Sequence, residues 1–195
     1  MKLTNRSYFK RALVVFMAVV MVFTMMPNTM GVETAWADAS VITTAEGFAA
    51  MDANGSYELG KDITITTPYS SAFSGTFDGK GHTVTLEGTT NGVFVSTAAS
   101  ATIQNLAVKG TVSGGEKIAG VVGMNAGTIQ NCKNAADITS DSRYVGGIAG
   151  KTSGSISECY NVGMISSTYN GSRGHIGGIV GDSSSTLANC YNVGK

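Results

Sequence analysis

Ile118-Ala119-Gly120-Val121-Val122-Gly123 returns as Val145-Gly146-Gly147-Ile148-Ala149-Gly150 and again as Ile176-Gly177-Gly178-Ile179-Val180-Gly181. After a short Gly/Ser/Thr turn, each copy leads into a second signature. These are Ile129-Gln130-Asn131-Cys132-Lys133-Asn134, Ile156-Ser157-Glu158-Cys159-Tyr160-Asn161 and Leu187-Ala188-Asn189-Cys190-Tyr191-Asn192. Cys132, Cys159 and Cys190 therefore hold one repeat position, 27 and 31 residues apart. The extra residues of the second interval fall in one polar stretch, Ser166 to His175. A period of this size, with length variation confined to one loop, predicts an all-β stack of coils, a parallel β-helix or β-solenoid.

Upstream, Gly92-Val93-Phe94-Val95 and Ile103-Gln104-Asn105-Leu106-Ala107-Val108 read as a degenerate earlier copy, with Gly110-Thr111-Val112 matching Ala136-Asp137-Ile138. The predicted coils are 92–112 (degenerate), 118–138, 145–165 and 176–195, the last unfinished, within a solenoid spanning 58–195. Val121, Ile129, Cys132 and Ile138 are expected to point inward. Gly120, Gly147 and Gly178 are expected at tight corners or where coils stack closely. Asn134, Asn161 and Asn192 are expected to form a structural column. Asp78-Gly79-Lys80-Gly81 reads as a tight turn whose Asp-Gly supplies the left-handed position. On its own it would permit an antiparallel hairpin, but the downstream repeats favour parallel stacking.

Residues 38–57 read as a cap. Thr43-Thr44-Ala45-Glu46 fits a capping box, and Phe48 and Met51 give the following turns an apolar face. Such a helix covers the open end of a stack. Before it, Lys2, Arg6, Lys10 and Arg11 precede the apolar run Ala12 to Met26, and Ala35-Trp36-Ala37 is a small-x-small cleavage site. That order predicts a signal peptide over 1–37, cleaved after Ala37, and a secreted or cell-surface protein. The apolar run is shorter than the roughly 20 residues of a membrane span, so no membrane attachment is expected after cleavage.

The 195-residue chain has 13 basic and 13 acidic side chains. Removing the predicted leader leaves a slightly acidic chain without the basic face that nucleic-acid binding needs. The three aligned cysteines favour a ladder of small buried thiols; one strained disulfide with a free thiol is the alternative. No catalytic residue, cofactor or metal site is predicted. HExxH and GxSxG are absent, and the two histidines, His82 and His175, share no motif. Asp78 is a turn residue, Asp137 and Asp141 do not recur as a pair, and no acidic cluster stands out. The variable loops preceding each glycine core carry Glu116-Lys117, Arg143-Tyr144 and Tyr169 through His175. Stacking would line them along one edge, which makes Arg143, Tyr144, Tyr169 and Arg173 candidate contacts for a host glycan or host surface protein.

From Val41 to Lys195 the chain resembles the GLUG repeat of bacterial surface proteins. Gly120-Val121-Val122-Gly123, Gly147-Ile148-Ala149-Gly150 and Gly178-Ile179-Val180-Gly181 carry the resemblance, together with the Asn-Cys and Tyr-Asn-x-Gly pattern and Phe73 through His82. Ala119 and Ala136 depart from it, each standing where other copies have glycine. The resemblance implies a right-handed parallel β-helix, export and display, in an adhesin-like setting without catalytic residues. It also implies an alternative, the non-catalytic leader of a longer surface enzyme such as an IgA-specific metallopeptidase; a glycan-active β-helix enzyme is a further one. The third copy stops at Gly194-Lys195, so the last coil is expected to be completed by further chain or by end-to-end association.

Overall fold

A computed structural model describes residues 39–172 and 174–195. The predicted signal peptide and Arg173 lie outside the described residues. The described chain is almost wholly β, and its strand pairings are parallel. Four sheets share the strands, and in each sheet the order along the sheet follows chain order.

The first sheet begins with β1 (Ser40–Ile42) and β2 (Ser56–Leu59) and continues through Thr76–Asp78, Thr102–Gln104, Thr128–Gln130, Ser155–Ser157 and Leu187–Ala188. The second runs from Ile63–Ile65 through Thr83–Thr89, Ala107–Gly114 and Lys133–Ser140 to Tyr160–Asn161 and Tyr191–Asn192. The third includes Tyr69–Phe73, Phe94–Thr97, Val122–Asn125, Ala149–Thr152 and Val180–Ser183. Short strands Ile118–Ala119, Val145–Gly146 and Ile176–Gly177 form the fourth. The register pairs Ile103 with Ile129, Ile129 with Ile156 and Ile156 with Leu187. It also pairs Gly110 with Ala136 and Val112 with Ile138, so the degenerate copy stacks in phase with the regular ones.

Inward positions are apolar because strands alternate. Val121, Ile129, Cys132 and Ile138 are all buried. The early repeats fill their interior with rings instead. Phe48 sits edge-on to Tyr69, Phe77 and Phe94, with centroids 6.1, 5.9 and 5.8 Å away, and Phe73 lies 5.2 Å from Phe94. Phe48 comes from α1 (Ala45–Ala49), the short helix expected before the first long strands.

Four local expectations change. Thr44, not Thr43, is the N-cap, its Oγ1 accepting the Gly47 N–H at 3.0 Å, so Glu46 is the second helical residue rather than the third. Parallel pairing starts at Ser40, inside the segment read as a cap, because Ser40-Val41-Ile42 stacks on Tyr57-Glu58-Leu59. The 78–81 turn takes its left-handed backbone at Lys80 (φ 51°) and Gly81 (φ 80°), not at Gly79, and turns the chain from one parallel sheet to the next. The polar loop starts at Thr168, since Ser166 and Ser167 still pair with Thr139 and Ser140.

The corners between the first and second sheets are left-handed at Lys80, Asn105, Asn131, Glu158 and Asn189, none of them glycine. The core glycines answer a different need, which is space. A Cβ on Gly120 would overlap Asn134 Oδ1, and one on Gly178 would overlap Asn192. On Gly147 it would overlap Gly178 O and lie 2.6 Å from Asn161 Cγ. These asparagines are in register and form a relay, buried at Asn134 and Asn161 and exposed at Asn192. Asn134 Nδ2 donates to Asn161 Oδ1 and Asn161 Nδ2 to Asn192 Oδ1, each at 2.7 Å. Each amide also binds its own backbone two residues on, as Asn161 does through Nδ2 to Gly163 O (2.9 Å) and Oδ1 from Gly163 N (3.2 Å).

A second buried relay went unread in the sequence. Thr97 Oγ1 donates to Asn125 Oδ1 (2.7 Å), and Asn125 Nδ2 donates to Thr152 Oγ1 (2.9 Å) and to Gly127 O (3.1 Å). Among the described residues no buried side-chain nitrogen or oxygen lacks a partner.

Gly147→Ala is expected to cost about 3 kcal/mol in urea unfolding, because backbone and ladder both block the methyl. Gly115→Ala, with nothing within 4 Å of the added carbon, is expected to change stability by less than about 0.5 kcal/mol.

Candidate functional site

The edge that carries the variable loops is built on a second left-handed column. Lys117 and Tyr144 have φ of 62° and 63°. Ile118 N–H donates to Tyr144 O (3.1 Å), and Val145 N–H donates to His175 O (2.9 Å), so Lys117, Tyr144 and His175 occupy equivalent positions in successive repeats. Side chains leaving this column meet each other. The Tyr144 ring stacks on the His175 ring, with centroids 5.1 Å apart and planes 25° from parallel. Arg143 Cζ lies 5.4 Å and Lys151 Nζ 5.1 Å from the centre of the same Tyr144 ring. Both cations are also paired, Arg143 to Glu116 at 3.0 Å and Lys151 to Asp182 at 2.9 Å. His175 Nδ1 is 3.9 Å from the other Asp182 oxygen. The Asp182 hydrogen bond and charge hold the Lys151 ammonium above its ordinary pKa.

Two of the four candidate residues, Arg143 and Tyr144, are thus brought together. Tyr169 lies on the loop, its N–H bound to Ser167 Oγ at 3.2 Å, and no ring or cation contact among the described residues joins it to the Tyr144 group. Arg173 lies outside the described residues. His175, Lys151 and Asp182 complete the cluster and were not singled out from the sequence. Their signal was the register itself, since His175 precedes its glycine core as Tyr144 precedes the previous one. Chemically the edge offers paired charges and the rim of a sandwiched tyrosine, a surface suited to polar contacts with a ligand.

The cysteines are free, Cys132 and Cys159 buried and Cys190 partly exposed. Each sulfur faces the carbonyl two residues before it, Cys132 to Gln130 O at 3.2 Å and Cys159 to Ser157 O at 3.1 Å. Cys132 N–H also points at Cys159 Sγ at 3.4 Å. The neighbouring Cys159 thiol and burial push the Cys132 thiol well above its usual pKa. The same contact lowers the Cys159 thiol pKa, and the column is a packing element of free thiols, as the aligned spacing favoured.

A third polar column runs along the corner outside the cysteines. Asp78 Oδ1 accepts from Lys80 N (2.8 Å) and Asn105 Nδ2 (3.0 Å), and Oδ2 accepts from Gln104 Nε2 (2.9 Å). Asn131 Nδ2 continues the relay to Asn105 Oδ1 at 2.8 Å. Burial acts to raise the Asp78 pKa, but the hydrogen bonds from Lys80, Asn105 and Gln104 and the Lys80 charge hold it below its ordinary value.

Among the described residues no group of three or more His, Cys, Asp or Glu is arranged to hold a metal ion. No described helix is long and apolar enough to cross a membrane. Comparison with protein families, curated proteins and solved structures returned no match.

In the unreduced native protein a thiol reagent is expected to label Cys190 about 100-fold faster than Cys132 or Cys159, which need local opening to react. All three should titrate in denaturant without reductant. Fewer than three would reveal a disulfide and contradict the thiol column.

Proposed function

We propose that this chain is an exported, non-catalytic β-solenoid of the GLUG-repeat type that serves as a surface display or adhesion module. The observation that carries this reading is the continuous register of the repeats from Ile103 onward. Inward positions are spent on apolar packing and closed amide relays, while the outward edges carry aromatic and charged columns. A right-handed coil accords with the strong preference of parallel β connections for that hand, which follows from strand twist. The helix bearing Phe48 acts as the cap of the early end. The two histidines support a non-catalytic role. His82 lies 3.4 Å from Asp62, and His175 sits in the Tyr144 stack beside Asp182, so each has its own local partner.

Under this reading the leader 1–37 directs export, and the edge bearing Arg143, Tyr144, Tyr169 and Arg173 contacts a host glycan or host surface protein. Replacing all four by Ala is expected to lower adhesion to host cells or to a glycan array about ten-fold, with the β circular dichroism signal unchanged. Such an effect matches two or three polar contacts at about 0.5–1 kcal/mol each. Wild-type adhesion by that variant removes the loop edge as the binding surface. Recovery of the uncleaved chain from the cytoplasm of its native cells contradicts export.

A further inference from the structure

The loop edge does not account for a groove on a different part of the surface. It follows the corner between the first and second sheets, and its volume is about 500 Å³. Its origin lies in one outward column of the second sheet, where Thr83, Ala107, Lys133, Tyr160 and Tyr191 stack in register. Ala107 is the smallest of these, so the column is notched there. Lys80 and Gly81 close one end of the notch and Lys133 and Tyr160 the other, while Asn105 and Asn131 form the wall.

The lining is chemically specific. Lys80 is answered by Glu58 at 3.0 Å and Asp78 at 3.9 Å, while the Lys133 ammonium pairs with no carboxylate among the described residues and lies 5.5 Å over the Tyr160 ring. The wall carboxamides are held by the Asp78–Asn105–Asn131 relay at fixed left-handed corners. Each Nδ2 spends one of its two protons on that relay, and Asn131 Oδ1 accepts from no donor among the described residues. Beyond Lys133, Tyr160 and Tyr191 stack face to face, 5.0 Å apart and 2° from parallel. Preset amides that both donate and accept, on a lining where Lys80 and Lys133 are balanced by Glu58 and Asp78, match a ligand dense in hydroxyls and without net charge. Neighbouring strands are about 4.8 Å apart, so the four rungs from Lys80 to Tyr160 extend for about 14 Å along the stack, room for a short run of sugars.

We propose that this groove is a binding site for a neutral, extended glycan lying along the stack, with hydroxyls on Asn105 and Asn131 and a sugar in the notch at Ala107. A polyanionic glycan fits less well, since beyond the single Lys133 ammonium its carboxylates would have to compete with Glu58 and Asp78 for Lys80. An added peptide strand would need an open sheet edge, whereas these walls are side chains.

The test is calorimetric titration of the purified full chain with cellohexaose, chitohexaose and hexagalacturonate. Two variants probe the groove. Ala107→Trp fills the notch, and Asn131→Gly removes a wall amide at a backbone position glycine adopts freely. At least one neutral hexasaccharide is expected to bind, with about ten-fold weaker affinity in each groove variant. The control Met124→Ala, at an exposed position of the third sheet, should bind it as tightly as the unaltered chain, and the loop-edge variant Arg143→Ala/Tyr144→Ala separates the two surfaces. Should Ala107→Trp fail to fold, Asn131→Gly decides alone. The proposal is overturned if neither neutral probe binds at millimolar concentration, if hexagalacturonate binds more tightly than both, or if affinity survives the groove substitutions. Loss of binding only in the loop-edge variant also overturns it, while leaving the loop edge as the glycan surface.

Discussion

A column of stacked carboxamides sets the terms for the rest of this structure. Asn134, Asn161 and Asn192 pass one hydrogen bond from repeat to repeat at 2.7 Å while each closes a turn in its own backbone. A buried amide without partners costs about 1–3 kcal/mol, so a slip of register is penalised at each rung it disturbs. Apolar packing alone is less selective, because a leucine or isoleucine accepts many neighbours. The glycines opposite, Gly120, Gly147 and Gly178, are the other half of the same device, since any side chain there would overlap the amides or the adjacent backbone. Repeat length, glycine position and asparagine position are therefore one constraint expressed three ways.

The interior changes character along the chain while that constraint holds. Early repeats gather Phe48, Tyr69, Phe73, Phe77 and Phe94 into edge-on contacts, with the helix inserting Phe48 among the strands. Later repeats use Ile, Val and Cys in fixed columns. Rings fill an irregular space where repeats differ in length, while small branched side chains and thiols suit identical rungs about 4.8 Å apart. With inward positions committed, variation is confined to the outward columns and the loops. The Tyr144–His175 stack and the Tyr160–Tyr191 stack show the consequence: equivalent positions place like groups face to face, and a repeated residue becomes a surface.

The alignment of Cys132, Cys159 and Cys190 was enough to read the parallel stacking, the inward columns and the asparagine ladder, because a periodic sequence states its own register. The same logic brought Arg143 and Tyr144 to one edge. Local backbone was harder to read. Asp78-Gly79 looked like the left-handed pair, yet Lys80 and Gly81 take that conformation, and equivalent corners use Asn105, Asn131, Glu158 and Asn189. Stacking on neighbouring repeats overrides single-residue preference there, with the N–H groups of Asn105, Asn131 and Glu158 bound by the next repeat, as Asn105 N is by Gln130 O at 3.2 Å. The Thr97–Asn125–Thr152 relay was hidden because its members differ in residue type. The groove at Ala107 was hidden because it arises from a small residue among larger ones, a feature visible only once the column is assembled.

The most direct test of the amide column as the register-setting element is a double-mutant cycle on Asn134→Ala and Asn161→Ala, read by equilibrium unfolding in urea. Each single change strands a buried amide partner, so the two losses should not add, and the coupling is expected to be about 1–3 kcal/mol. Additive losses within about 0.3 kcal/mol would mean that the two amides act independently and that the column does not hold the repeats in register.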